Sequence, residues 1–390
     1  MDFFLCFLPY VVTAALLFWL GSHVSSREAR LQESSKGVFL PWYSWEIIAS
    51  ILIIVLFSAL RYYTGNDYRM YLTNFQQVQS HDTVLRENLE SGFVLISRLI
   101  AYTGCHYSVY FGFWGALQAF CLYYGLRRHK FLYPWIGLML FLGPFCINWI
   151  SFIRQWAIAF AFILIIPYVA KKKFLPCLLF TLVAMTIHHS AWVLLLMYFI
   201  AQLVNADKDR KYYLSIFAVC YLLGVYPVWL KVLSSSDWVL TFIGYEKYQY
   251  LLEPLFNHPF VFKGYGPLRL IYLFQSLLFI WYYPEMRGYF KHDKLFPTIF
   301  VFAFIGVCYQ HLFINTVYAF IRPADYLFIF VIIMLAYVFV YLIKQGKLAF
   351  AIVSCGIVCS FLLLASIKDV YFMHKPVAEY NVLYHFWLFK

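Results

Sequence analysis

A polar helix face around Arg154 is the first feature of this sequence that could do chemistry. Arg154 lies between two apolar runs, and Asn148, Ser151 and Gln155 stand near it at helical spacing. A guanidinium group binds two phosphate oxygens at once and keeps its charge, so this face is suited to an anionic ligand. The plain alternative is an arginine whose head group reaches out to the lipid headgroups.

Three residues elsewhere are candidates for accepting a proton. Asp67 follows an apolar run, Glu90 precedes a short amphipathic segment, and His188 lies between two short apolar runs. A carboxylate or imidazole held near a hydroxyl group can deprotonate it. Ordinary roles are open as well: a solvated loop carboxylate, a carboxylate at a helix N-terminus and a hydrogen-bonded packing residue. The residues alone do not decide which of the three is a base.

Arg322 is a second candidate cation, at the start of a late apolar run. Asp325 follows it at i+3, so a simple ion pair between the two is the alternative. A metal centre is not predicted. His188 and His189 are adjacent and cannot share a helix face, and the sequence has no His-Glu-x-x-His or Cys-x-x-Cys motif. No cofactor is predicted.

The composition predicts an all-α integral membrane protein. Hydrophobic residues make up 64% of the chain and charged residues 12%, whereas a soluble domain carries about 25% charged residues. The net charge of +12 is explained by basic loops on the cytoplasmic side of a membrane, so nucleic-acid binding is not expected.

Apolar stretches along the chain predict a polytopic bundle of about 12 transmembrane helices in a single membrane domain, residues 1–390. The first is predicted to be a retained helix, because no basic segment precedes it. The stretches cover residues 3–20, 46–60, 107–126, 131–152, 155–170, 174–187, 190–204, 212–232, 268–284, 295–312, 318–343 and 348–367.

Basic clusters between these stretches predict the orientation. All of them fall on one face, the cytoplasmic one, if both termini lie on the outer, periplasmic side. This arrangement requires residues 174–204 to form a hairpin of two short arms, with His188 near its tip. The clusters are Arg27/Arg30/Lys36, Arg127/Arg128/Lys130, Lys171/Lys172/Lys173, Lys208/Arg210/Lys211, Arg287/Lys291/Lys294 and Lys344/Lys347.

Two long outer loops are predicted, at residues 61–106 and 233–267. The first carries charged residues and a short amphipathic or re-entrant helix near 93–103, too short to span a membrane. The second is rich in Tyr and Trp. Broad aromatic surfaces of this kind suit sugar rings.

Several motifs resemble the EpsG family of Wzy-like polysaccharide polymerases. The resemblance covers about residues 60–200, and Arg322 and Tyr326 continue it in the C-terminal half. His189 stands where the family often has Lys. The motifs are Arg61-x-x-x-Gly65-Asn66-Asp67-Tyr68-x-x-Tyr71, Glu90-x-Gly92-Phe93, Ile153-Arg154-Gln155-x-Ala157, a Lys-rich turn at 171–173, and His188-x-Ser190-Ala191.

The resemblance implies a GT-C-like, metal-independent glycosyltransferase in the cytoplasmic (inner) membrane of a bacterium. Such enzymes join undecaprenyl-diphosphate-linked repeat units on the outer side and build O-antigen, capsule or exopolysaccharide. The implied partners are polyprenyl-diphosphate-linked glycans, the lipid bilayer and a chain-length regulator, without nucleic acid.

By the same resemblance, Arg154 and Arg322 would bind the diphosphate, and His188 or Glu90 would be the base. Asp67 would bind or orient the acceptor. The remaining candidates for substrate contact are Arg61, Gln155, Tyr68 and Tyr326.

Three other functions fit parts of the pattern. A flippase or transporter of lipid-linked oligosaccharides would also be basic and would span the membrane many times, but its charges would lie deep in a central passage. A membrane acyltransferase that modifies a surface glycan would also use a membrane histidine with an arginine. A non-enzymatic scaffold would tolerate loss of both Arg154 and His188.

Overall fold

A computed structural model of the protein describes residues 3–34, 39–80, 89–225, 266–316, 318–372 and 383–384. All regular secondary structure in these ranges is helical, as the composition predicts. The predicted outer loop at 233–267 lies almost entirely outside the described residues.

The α-helices are numbered here in chain order. Short 3-10 helices at Lys130–Leu132, His189–Trp192 and Arg322–Ala324 and a π-helix at Lys368–Phe372 complete the regular structure of the described ranges. The α-helices are α1 Phe3–Ser34, α2 Trp45–Leu60, α3 Tyr68–Gln79, α4 Ser91–Ala101, α5 Tyr107–Gly125, α6 Tyr133–Leu142, α7 Cys146–Ser151, α8 Ile153–Phe162, α9 Ile166–Ala170, α10 Phe174–Met185, α11 Val193–Leu203, α12 Arg210–Val225, α13 Pro267–Tyr289, α14 Phe296–Leu312, α15 Tyr318–Ile321, α16 Asp325–Lys344, α17 Leu348–Cys359 and α18 Phe361–Ile367.

Three helical stretches among the described residues are long and apolar enough to cross a membrane: Phe3–Ser34, Arg322–Lys344 and Leu348–Tyr371. Most of the other apolar helices are shorter, such as α2, α10, α11 and α14. The chain is therefore a multi-pass membrane protein built from helices of very unequal length.

Helix α16 forms the centre of the bundle. Its apolar side chains point in every direction, which is typical of a helix enclosed by others, and nearly all of them are buried. It packs against α6, α8, α13, α14 and α17. At about 1.5 Å per residue it spans about 30 Å. Asp325 lies at one end of this axis and Lys344 at the other.

The structure divides two stretches that the sequence predicts as single spans, because 155–170 is shared between α8 and α9 and 131–152 is broken as well. Residues 131–152 form α6 and α7, which are separated at Gly143 and Pro144; proline has no N–H to continue a helix. A sharp change of direction at Phe152 (φ −100°, ψ 60°) then separates α7 from α8. These breaks place Arg154 in the first turn of a new helix, where its side chain faces the outer segments.

The predicted hairpin at 174–204 is present. Helices α10 and α11 are joined by a turn and a 3-10 helix that carry His188 and His189. The ring of Phe174, at the start of α10, lies 5.7 Å from the ring of Tyr198 and 5.6 Å from that of Phe199, both late in α11. The two arms therefore run side by side in opposite directions.

The basic clusters lie together at one end of the bundle, as the short loops predict. Lys130 Nζ lies 3.2 Å from the carboxylate of Glu28, at the end of α1. Arg210 pairs with Glu285 near the end of α13. Four further segments meet at a single cavity, lined among others by Arg127, Arg128, Lys171, Lys294 and Lys344.

Candidate functional site

The outer segment is anchored on the bundle by a tight turn before α3. Gly65 adopts φ +98°, a region that glycine enters without steric cost. A Cβ at this position would lie 3.2 Å from Ser151 Oγ. The next residue, Asn66, donates its backbone N–H to that same hydroxyl at 2.9 Å. This contact positions α3, and with it Asp67 and Tyr71, beside the α7–α8 break.

The first turn of α4 docks on the tip of the hairpin. The carbonyl oxygen of Thr186 accepts the N–H groups of Gly92 and Phe93 at 2.8 and 3.2 Å. These are donors that a helix N-terminus leaves without a partner inside the helix. A side chain at position 92 would not fit, because a Cβ there would lie 2.3 Å from Thr186 Oγ1. The docking brings Glu90 directly against the turn that carries His188.

The carboxylate of Glu90 connects three groups from distant parts of the chain. One oxygen accepts from Arg154, in a salt bridge. The other lies 3.1 Å from His188 Nδ1 and accepts the backbone N–H of His189 at 2.9 Å. The side chains are partly open to solvent, with 16% exposure for Glu90 and 21% for His188. The predicted convergence of a cation and proton acceptors in one pocket is therefore present in the structure.

Aromatic rings hold the guanidinium of Arg154. Its Cζ lies 4.8 Å from the ring centre of Phe93 and 5.7 Å from that of Tyr71. Such contacts stabilise a partly desolvated cation. Its Nε is buried without a hydrogen-bond partner among the described residues. Arginine has five N–H donors and Glu90 engages one nitrogen, so capacity remains to bind an anion.

The surroundings of Glu90 and His188 lower the pKa of both side chains, with opposite effects on their charge at neutral pH. Burial alone would raise the pKa of Glu90, but the hydrogen bond from His188, the charge of Arg154 and the N–H of His189 outweigh it and lower that pKa to about 2. Burial lowers the pKa of His188, and the charges of Arg154 and Arg322 lower it further. Hydrogen bonding to Glu90 offsets this in part. At neutral pH the carboxylate is ionised and the imidazole is neutral.

Asp67 and Arg322 lie within electrostatic range of the same pocket, at Tyr71. Burial raises the pKa of the Tyr71 phenol; the charges of Arg154 and Arg322 act to lower this pKa and the charge of Asp67 acts to raise it. The guanidinium of Arg322 itself lies over the ring of Phe152, 4.8 Å from its centre.

Two polar contacts tie the C-terminal half to this pocket. Gln155 donates to the backbone carbonyl of Arg322 at 2.5 Å. The Tyr326 hydroxyl lies 2.9 Å from that of Ser190, two residues after His188. Gln155 and Tyr326 therefore join the start of α16 to α8 and to the hairpin tip.

A comparison with protein families identifies the family of the chain. The sequence model of the EpsG family matches residues 45–382. The chain belongs to the EpsG family. This is a family of Wzy-like polysaccharide polymerases. The match includes the whole pocket around Glu90 and the segment of Arg322. No curated protein and no solved structure matches the chain.

Arg61 and Tyr68 take buried positions in this EpsG-family protein. Arg61 is 2% exposed and donates to the backbone carbonyl of Ile150, and its Cζ lies 4.7 Å from the ring centre of Phe111. The Tyr68 hydroxyl donates to the Arg61 carbonyl at 3.1 Å. These contacts hold the outer segment on the bundle. Substrate contact by Arg61 and Tyr68 stays a prediction.

Some contacts of the EpsG-family pocket are not foreseen from the sequence. Tyr71 and Phe93 stand in the quoted motifs, but their role as the aromatic support of Arg154 depends on the packing of α3 and α4. Thr186 acts through its carbonyl oxygen, which every residue has. Asn148 donates to Asp325 at 2.9 Å, a contact between residues 177 positions apart.

Proposed function

We propose that this protein is a membrane glycosyltransferase that polymerises undecaprenyl-diphosphate-linked oligosaccharide repeat units on the outer side of the cytoplasmic membrane. The observation that carries the proposal is the contact of Glu90 with both Arg154 and His188. It puts a permanent cation and a neutral imidazole in one partly open pocket. In transfer of a sugar from a diphosphate, a cation can stabilise the leaving diphosphate and a base can take the proton of the attacking hydroxyl group.

In this proposal His188 is the general base. Glu90 is ionised and can only accept hydrogen bonds, so His188 Nδ1 carries the proton. The other ring nitrogen, Nε2, is then an acceptor, and no residue that the structure describes bonds to it. Glu90 is a poor base, because a carboxylate with a pKa of about 2 holds a proton weakly. Its role is to orient the imidazole.

Arg154 and Arg322 bind the diphosphate of the donor. The hydroxyl oxygen of the acceptor sugar attacks the anomeric carbon, and its proton passes to His188 Nε2. The bond from that carbon to the diphosphate oxygen breaks, and the diphosphate leaves with the electron pair. Fixed guanidinium groups stabilise this developing negative charge without reorganisation. Asp67, close to Tyr71, binds or orients the acceptor.

The charge on these arginines replaces a metal ion in the proposed reaction. The proposal also includes about 12 membrane crossings, a GT-C-like arrangement, termini on the periplasmic side and a surface glycan as product: O-antigen, capsule or exopolysaccharide. The basic end of the bundle then faces the cytoplasm, in accordance with the distribution of positive charge in membrane proteins. A chain-length regulator is a candidate partner.

Reconstitution tests the activity directly. Purified protein in liposomes is given undecaprenyl-diphosphate-linked repeat units with the chelator EDTA present, and the lipid-linked products and released undecaprenyl diphosphate are separated by mass. We expect products of two or more repeats, with one diphosphate released per bond formed. The Arg154→Gln/His188→Asn double variant should give only single repeats.

The other functions give different outcomes in the same assay. Transfer of single units across the bilayer without joining would identify a flippase, and incorporation of labelled acyl groups would identify an acyltransferase. Joining that stops with EDTA and returns with Mg²⁺ would overturn the metal-independent part of the proposal alone.

A further inference from the structure

The end of the bundle opposite the Glu90 pocket contains a basic cavity of about 1050 Å³. This volume is at the upper end of the roughly 300–1,000 Å³ that pockets for small molecules occupy. Five segments far apart in the chain line it: Phe39 before α2, the turn after α5, the end of α9, the α13–α14 turn and the end of α16.

The cavity has an excess of cations at its rim. Arg128, Lys171, Lys294 and Lys344 line it and are exposed, and none of them forms a salt bridge with a residue in the described ranges. Positive charges gathered around a low-dielectric space repel one another. An anion in the cavity would relieve that repulsion.

The carboxylates nearby form no salt bridge with these four residues, because each of them contacts another side chain. Glu28 pairs with Lys130, and Glu285 with Arg210. Asp293, which lines the cavity itself, lies 2.9 Å from His129 Nε2 and accepts the Tyr337 hydroxyl. The rim charge therefore stays available to a ligand.

The walls of the cavity are apolar below this rim. They include the half-buried Phe131, Phe290, Leu295 and Val340, while Phe39 is exposed at the edge. A positive-inside distribution explains basic residues in each loop. It does not explain why four loops meet around one space with aromatic walls. A cationic rim over an apolar wall matches an anionic headgroup joined to a hydrocarbon chain, and basic pockets between membrane helices bind such lipids.

We propose that this cavity is a binding site for an anionic phospholipid of the adjacent leaflet. The phosphate lies among Arg128, Lys171, Lys294 and Lys344, and the upper part of the chain lies against Phe131, Phe290 and Val340. The site is separate from the Glu90 pocket and does not depend on the function proposed for that pocket.

Binding is measured by native mass spectrometry on the full chain in an uncharged detergent. The probes are dioctanoyl phosphatidylglycerol, dioctanoyl phosphatidylcholine and inorganic diphosphate. We expect the wild-type protein to bind phosphatidylglycerol about tenfold or more tightly than phosphatidylcholine, with an affinity that falls as salt is added. The variant Arg128→Gln/Lys171→Gln/Lys294→Gln/Lys344→Gln should lose that preference.

A matched control removes the same charge from the same end of the bundle, outside the cavity: Arg30→Gln/Lys172→Gln/Lys208→Gln/Lys291→Gln, all of them exposed. This variant should keep the preference for phosphatidylglycerol. If both variants lost the preference for phosphatidylglycerol equally, the preference would come from general surface charge, and the proposed site would be overturned. Diphosphate binding that is as tight as that of phosphatidylglycerol, and that the cavity variant loses, would overturn the lipid and assign a soluble phosphate compound. Diphosphate binding that the cavity variant keeps would lie outside the cavity and leave the lipid assignment standing.

Discussion

Glu90 Oε1 lies 3.1 Å from His188 Nδ1, although 98 residues separate the two in the chain. The same carboxylate forms a salt bridge with Arg154. A carboxylate, an imidazole and a guanidinium group are thus in direct contact. The role proposed for each of them can be tested by changing that residue.

The imidazole of His188 is expected to be essential, and its neighbour offers a control. His188→Asn keeps a donor for Glu90 but removes the base, so the rate of polymerisation should fall by roughly 10²–10⁴-fold. His189→Asn should stay close to wild type, because the exposed His189 contacts Glu90 through its backbone N–H alone. Polymer length at equal protein level is the measurement. Similar polymers from both variants would remove His188 from the reaction.

Activity should decline on the acid side, as His188 becomes protonated. The pKa of His188 is lowered from its ordinary value, so the rate should hold from neutral pH to below about 6.5 before it falls. Since Glu90 acts to raise that pKa, Glu90→Gln should move the acid limb to lower pH as well as reduce the rate. The pH–rate profile of the reconstituted protein measures both effects. An acid limb that moves upward in Glu90→Gln would contradict this arrangement.

Loss of the Arg154 charge should affect the chemical step most. Arg154→Gln removes stabilisation of the leaving diphosphate, and a fall in kcat of roughly 10²–10³-fold is expected. Arg154→Lys should recover part of it, because the charge remains while the planar guanidinium is lost. Arg98→Gln is the control: Arg98 is exposed near the end of α4 in the same outer segment. A matching fall in Arg98→Gln would indicate a general effect of charge on that side.

Gly92 should tolerate no side chain while its contact with Thr186 is intact. In Gly92→Ala the new Cβ would lie 2.3 Å from Thr186 Oγ1 and 2.9 Å from the Thr186 carbonyl oxygen. Overpacking of this kind costs roughly 1–3 kcal/mol. Activity and melting temperature should both fall, and adding Thr186→Ala should restore part of each. Gly288→Ala, where nothing lies within 4 Å of the new Cβ, should change neither.

A variant of Arg61 tests whether this residue supports the fold or contacts the substrate. Its guanidinium is buried against a backbone carbonyl and an aromatic ring. Arg61→Ala leaves that carbonyl without its donor, so the amount of folded protein should decrease. The specific activity of the molecules that fold should remain within about threefold of wild type. The amount of the variant protein in membranes is measured by quantitative immunodetection, and its activity by the polymer assay. The two measurements separate the loss of folded protein from the loss of specific activity. Normal abundance with lost activity would favour the predicted contact with substrate.

The sequence is sufficient to predict the helical class, the hairpin at 174–204 and the common end of the basic clusters. Each depends on local composition: apolar length, absence of charge and the position of Lys and Arg. The meeting of Glu90 with Arg154 and His188 was also predicted, from the shared face of their segments and from the family motifs.

Other features depend on packing that composition does not encode. The family motif makes Arg61 a candidate for substrate contact, and nothing in the neighbouring residues indicates that its side chain is buried. The hydrogen bond from Asn148 to Asp325, across 177 residues, is another contact that nothing in the local sequence indicates. The stretch 131–152 is broken at Gly143 and Pro144, and the stretch 155–170 is broken just before Pro167. A search for apolar stretches alone does not register these breaks.

The contacts of the Glu90 pocket also bear on how the protein is made. The partners of the Glu90 carboxylate, Arg154 and His188, leave the ribosome 64 and 98 residues after it. Tyr326, which contacts Ser190, follows Ser190 by 136 residues. During synthesis, therefore, Glu90 precedes both of its side-chain partners, and the contacts of Gln155 and Ser190 with the C-terminal half form only when the start of α16 has been made. A chain that stops before residue 325 would keep the contacts of Glu90 with Arg154 and His188 but would lack the hydrogen bond between Ser190 and Tyr326.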